Sequence, residues 1–136
     1  MIAGVRKDLE IVKAEAGKEG MIQLEIRMAE EEIWHIIIVY NREGEKEKLR
    51  EVEECIERNE GKRLLIMGDF NARISDKGGT CWMGEEEKRK SKDRVINAQG
   101  YELLKMVAEY SLGILNRSKK NDEKGEWTFV SKIGSS

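Results

Sequence analysis

Asp69 and Asn71 are the residues whose types and spacing suit chemistry best. They follow the apolar run Leu64-Leu65-Ile66-Met67 and a single Gly68. A short apolar run bounded by turn residues predicts a buried strand, and the glycine permits a tight backbone where that strand stops. Residues two apart on a strand face the same way, so the expectation is a carboxylate and a carboxamide pointing together at the mouth of a sheet. Such a pair suits oxygen-seeking cations, activation of water and phosphate chemistry. The plainer alternative is a strand followed by an Asp-x-Asn turn, since both residues favour turns.

The elements that must hold this pair lie on both sides. Ile22, Leu24, Ile26 and Met28 alternate with Gln23, Glu25 and Arg27, the two-residue period of a strand with one wet face. Residues 33–40 are mostly β-branched or aromatic and predict a central strand covered on both sides. A turn at residues 29–32 makes these two a hairpin. Residues 2–5, and again Ile11-Val12, are short apolar stretches that allow further strands.

Residues 42–59 predict a surface helix with a narrow stripe of Leu49, Val52 and Ile56. Arg50, Glu54 and Arg58 are spaced for ion pairs on its wet side, and Gly61 stops it. Residues 97–110 predict a second helix, capped by Asn97 and burying Leu103, Leu104, Val107 and Ala108. Ile114-Leu115 and residues 127–130 are short candidate strands. Between the helices, residues 74–94 lack periodicity and read as a long loop. Lys88, Arg89, Lys90, Lys92 and Arg94 in it are able to lie along a phosphate backbone, or to form a solvated loop.

Composition sets limits. The 136 residues suffice for one small domain; 39% are hydrophobic and 38% charged, a globular balance. The net charge of −2 gives no global support for nucleic-acid binding, which leaves only local basic patches. The two cysteines have no CxxC spacing and the chain has one histidine, which argues against zinc. His35 lies inside an apolar strand, where a satisfied structural histidine is the favoured reading over a base. The sequence has no apolar run near 18 residues and no leader pattern, so the expectation is a soluble intracellular protein without membrane contact.

The run Leu65-Ile66-Met67-Gly68-Asp69-Phe70-Asn71-Ala72-Arg73 resembles the central motif of the endonuclease/exonuclease/phosphatase family. More narrowly it resembles the apurinic-type endonuclease domain of non-LTR retrotransposons. The resemblance runs from residue 21 to residue 136 and includes Ile114-Leu115-Asn116 and Trp127-Thr128-Phe129.

The resemblance implies an α+β fold, part of a four-layer α/β sandwich of mostly antiparallel sheets with helices outside. Residues 1–136 then form a single incomplete domain, truncated at both ends. It implies hydrolysis of a DNA phosphodiester with Mg²⁺ or Mn²⁺. Asp69 is expected to activate water and touch the metal, with Asn71 and Tyr40 as its catalytic neighbours. Asn116, Trp127 and Arg73 are expected to contact substrate, and a reverse-transcriptase region encoded nearby is the expected partner. The family's metal-binding Glu and its Asp-His pair have no match here, so a non-catalytic α/β remnant or binding module is the alternative. A lipid or small-molecule phosphatase of the same fold ranks third.

Overall fold

The computed structural model describes residues 1–78, 80–82, 85–87 and 89–116. It divides into two units, Met1–Asn71 and Ala72–Ser136, each considered by itself.

The first unit is a four-stranded sheet in the order β1-β2-β3-β4, with one helix. Strands β1 (Glu10–Ala16) and β2 (Met21–Ala29) pair antiparallel, as do β2 and β3 (Glu32–Tyr40). Helix α1 (Glu47–Arg58) then carries the chain to β4 (Arg63–Asp69), which runs parallel to β3. Together with a second helix further along, this is the mostly antiparallel α+β arrangement expected. The β2–β3 hairpin turns where the sequence places it, with Ala29 opposite Glu32.

Of the two candidate stretches ahead of β2, Ile11-Val12 falls in a strand and residues 2–5 do not. Residues 1–9 form no strand, and β1 begins at Glu10. Every residue of β1 is exposed, so no amphipathic pattern marks it. Its backbone pairing with β2 and the turn that closes at Gly17 hold it in place (Gly17 N–H to Met21 O, 3.0 Å).

Helix α1 starts five residues later than predicted, because the chain first makes a turn at Arg42 with Gly44 at φ 81°. Its buried stripe contains the predicted Leu49, Val52 and Ile56, together with Lys48 and Cys55. The Cys55 Sγ lies 3.7 Å from Met21 Sδ, which seats the helix on the sheet face bearing Met21, Ile37 and Val39. The ion pairs expected of Glu54 do not form among the described residues. Arg58 instead donates to the Glu54 carbonyl and to Cys55 Sγ.

In the second unit, Ile74 bridges Ile96 in antiparallel fashion, and a short hairpin of β5 (Thr80–Trp82) and β6 (Glu85–Glu87) lies within the predicted loop. Helix α2 (Ala98–Glu109) has the predicted cap: Asn97 Oδ1 accepts from Gly100 N–H at 2.7 Å. Its buried residues are Gln99, Gly100, Leu103, Met106 and Val107. The face is therefore rotated away from the predicted Ala108, which is exposed. Ile114-Leu115 form no strand; Ile114 N–H donates to the Gly78 carbonyl at 3.1 Å. The candidate strand at residues 127–130 lies outside the described residues. No described helix is long and apolar enough to cross a membrane.

Candidate functional site at the β3–β4 rim

The parallel register of β3 and β4 places Tyr40 directly beside Asp69. Residues paired in register share a face of the sheet, so both side chains leave at the same rim. Both are exposed, Tyr40 by 46%. The ladder continues one step further through Asn41 N–H to Asp69 O at 2.8 Å.

The backbone at the rim is tight. Gly68 has φ 136°, and a Cβ there would lie 1.9 Å from the Val39 carbonyl oxygen. No other residue type fits without moving one strand. The glycine of the motif is thus demanded by the close approach of β3.

Strand β4 ends at Asp69, so the two-residue alternation of a strand does not orient Asn71. Asn71 sits in the left-handed region at φ 48°. Its N–H donates to Asp69 Oδ1 at 2.9 Å, closing an Asx turn. Its side-chain Nδ2 donates to the Asn41 carbonyl. The carboxylate and carboxamide do meet, through a turn rather than through the pleat. The second oxygen of Asp69 has no hydrogen-bond partner among the described residues, and neither has the Tyr40 hydroxyl. One carboxylate oxygen and one phenol therefore face solvent ready to bind.

Behind the rim, Tyr40 N–H donates to Gly20 O at 2.8 Å. Lys48, buried, donates to the neighbouring Glu19 carbonyl and pairs with Glu51 at 2.7 Å; Lys18 reaches Glu51 at 3.2 Å. The hydrogen bond from Lys48, followed by that from Lys18, holds the Glu51 carboxyl below its ordinary pKa.

Arg73 and Asn116 belong to the second unit. The Arg73 guanidinium makes a two-pronged pair with Asp93, Nε–Oδ2 2.9 Å and Nη2–Oδ1 2.8 Å, and this raises its pKa further. Its backbone is held on both sides by Asn97, which accepts from Arg73 N–H at 3.0 Å and donates N–H to Arg73 O at 3.1 Å. Gly100 lets that carbonyl approach, since a Cβ would stand 1.9 Å from it. Arg73 is thus anchored within its own unit. Asn116 is exposed, and its carbonyl accepts from Arg89 Nε at 2.9 Å. Trp127 lies outside the described residues.

Arg89 is a correction to the basic stripe. It is buried, and its guanidinium binds the carbonyls of Ser75, Lys77 and Asn116. Backbone carbonyls thus occupy it in place of phosphates.

Sequence reasoning missed Asn41, Asp93 and the second role of Asn97. Only Asn97 carried a signal, as a helix cap; the partners of the other two are 20 or more residues away in the chain.

A divalent cation can be weighed against these residues. Mg²⁺ needs near-octahedral oxygen ligation, usually with carboxylates, waters and phosphate oxygens. The rim offers one carboxylate, of which one oxygen already accepts from Asn71. No group of three His, Cys, Asp or Glu residues is placed for a metal among the described residues. The described residues alone do not fit a Mg²⁺ site.

A family model described as endonuclease-reverse transcriptase matches residues 34–135, most of the chain and the whole of the rim from β3 onward. No curated protein matches the chain significantly.

Proposed function

The chain belongs to the endonuclease-reverse transcriptase family, and from that premise we propose that it is part of a DNA-nicking endonuclease of a retrotransposon, hydrolysing a phosphodiester with water activated by Asp69. The observation that carries this reading is the rim itself: Asp69, with one carboxylate oxygen open, stands in register beside the open hydroxyl of Tyr40.

In the proposed reaction a water bound at Asp69 loses its proton to the carboxylate as its oxygen bonds to phosphorus. The P–O bond to the leaving sugar oxygen breaks, and that oxygen takes up a proton from solvent water to leave as an alcohol. The Tyr40 hydroxyl donates to a phosphate oxygen as charge builds there. Asn71 adjoins the carboxylate and fixes the direction of the water. Arg73 and Asn116 are proposed to border the DNA, Arg73 through whatever donor capacity its pair with Asp93 leaves. Mg²⁺, or Mn²⁺ in its place, is the cofactor proposed with this reading, with Asp69 as one ligand. Its ligands other than Asp69 have to come from outside the described residues. A reverse-transcriptase region encoded nearby is the proposed partner.

The single carboxylate of the rim favours a second reading, a non-catalytic remnant that keeps the sheet and has lost the reaction. Purified chain, incubated with supercoiled plasmid and Mg²⁺ beside its Asp69→Ala variant, separates the two. Nicking that disappears in the variant supports the endonuclease. Absence of nicking by both at high protein concentration supports the remnant.

A further inference from the structure

We infer that Asn41 is the positioning residue of the rim, fixing the backbone of Asp69, Phe70 and Asn71 so that carboxylate and carboxamide are presented together. The inference builds on the reading of Asp69 and Asn71 as the reactive pair, but the contacts behind it do not depend on that reading.

Asn41 is the first residue after β3 and is fully buried. It bonds three consecutive residues of the motif. Its N–H donates to Asp69 O at 2.8 Å. Its side-chain Nδ2 donates to Phe70 O at 3.2 Å. Its carbonyl accepts from Asn71 Nδ2. The first bond extends the β3–β4 ladder by one step. The second reaches past the end of β4 to the carbonyl of the first residue of the turn. The third catches Asn71 in its left-handed conformation, which asparagine tolerates better than other non-glycine residues, and stands where the next ladder bond of β3 would be.

The orientation of the Asn41 amide follows from the same contacts. Exchanging its oxygen and nitrogen would set two acceptors, Oδ1 and the Phe70 carbonyl, against each other. The oxygen is consequently left as a buried acceptor without a partner among the described residues. An unpaired buried acceptor is unfavourable. Leucine, of similar size, would remove that penalty but leave the Phe70 carbonyl bare. The asparagine side chain thus adds little to global stability, and its effect is concentrated in the three residues of the turn.

Hydrogen exchange tests this on the full chain. Protection factors are measured by NMR for the Asn71 backbone N–H, with the Ile37 amide in the middle of β3 as reference. In N41L the expected result is a protection factor at Asn71 at least tenfold lower, with that of Ile37 changed less than threefold. N41D supplies a rescue that a purely structural role would not show. Its neutral carboxyl carries a hydroxyl donor for Phe70 O, whereas its ionised form repels that carbonyl. Protection at Asn71 should therefore return in N41D as the pH falls through the titration of the new carboxyl, and not in N41L. If N41L does not fold, the two pH limits of N41D carry the comparison.

Unchanged protection at Asn71 in N41L overturns the inference. So does equal loosening at Asn71 and Ile37, or an N41D whose protection ignores pH. Where wild-type chain nicks plasmid, N41L should lower kcat at least tenfold with KM for DNA within twofold; the reverse split also overturns it. If wild type does not nick, the proposed function fails while the exchange data still decide the role of Asn41.

Discussion

The two ends of β3 differ sharply. At its start, Trp34 Nε1 donates to Glu32 at 2.6 Å, Arg63 pairs with Glu32 at 3.2 Å, and His35 lies 3.5 Å from Glu25. Lys13 pairs with Glu15 nearby, and Arg58, Asn59 and Lys62 close the same groove. That end is dense in charge, and its polar groups answer one another. The other end, about 26 Å away by strand rise, keeps its ion pairs behind the rim, with Lys48 and Lys18 on Glu51 and Arg42 on Glu19. Its Asp69 makes no ion pair among the described residues and keeps one oxygen open, beside an open phenol. Its surroundings are Met1, Ile38 and Val39. Density of charge and open polar groups therefore single out opposite ends of this strand, and the proposed site rests on the second criterion.

The largest expected effect follows from Asp69. If the open carboxylate is the base, Asp69→Ala lowers plasmid nicking by at least about 100-fold, the usual weight of a general base. Melting temperature should change by less than about 3 °C, because the side chain is exposed and gives up one Asx-turn bond. Nicking kept by the variant would end the contrast between the two ends.

Gly68→Ala comes next and acts on stability. A Cβ 1.9 Å from the Val39 carbonyl oxygen forces β3 and β4 apart, and φ 136° is itself unfavourable for alanine. The expected loss is about 3 kcal/mol, on the order of 10 °C in melting temperature for a chain of this length. Thermal unfolding followed by circular dichroism measures it. A loss under 1 kcal/mol would mean that the rim is not held as tightly as the register implies.

These two effects rest on the part of the molecule most legible in the sequence. The apolar run into Gly-Asp-x-Asn locates β4 and its end because strand, glycine and turn are all local signals. The β2–β3 hairpin and both helices were legible for the same reason, through period two and period 3.6. Legibility failed where the cause was not local. Asn41 looks like an ordinary residue after a strand, since its carbonyl partner is 29 positions away. Arg73 looks like a free cation until Asp93, 20 positions on, engages it. Arg89 sits in a run of basic residues, and only its burial separates it from them. Strand β1 carries no burial pattern, because pairing alone defines it.

A smaller effect comes from the support behind Tyr40. Lys48 holds Glu51 below its ordinary value of 4.5 in the folded chain. A lowered folded value means that this pair's contribution is present above the unfolded pKa and is lost as pH falls below about 4.5 through the folded value. Glu51→Gln should cost about 1–2 kcal/mol at pH 7, since it leaves the buried Lys48 with the Glu19 carbonyl as its remaining partner. The acid side of the plot of melting temperature against pH should flatten in the variant. Parallel acid limbs in the two proteins would remove Glu51 as the titrating group.

The smallest expected effect tests the other end of β3. His35 is the only histidine in the chain and the obvious residue to suspect as a base. Its side chain is 14% exposed and faces Glu25 across the β2–β3 pair. A base must come within hydrogen-bonding reach of the proton it takes, directly or through one water. Five steps along the strand, about 16 Å, separate His35 from Tyr40, far beyond that reach. His35→Gln keeps a hydrogen-bonding side chain of similar reach opposite Glu25, so it should leave nicking within twofold and stability within about 1 kcal/mol. A loss of nicking comparable with that of Asp69→Ala, at unchanged melting temperature, would show that chemistry lies at the crowded end. The in-register pairing of Tyr40 and Asp69 would then be a structural coincidence.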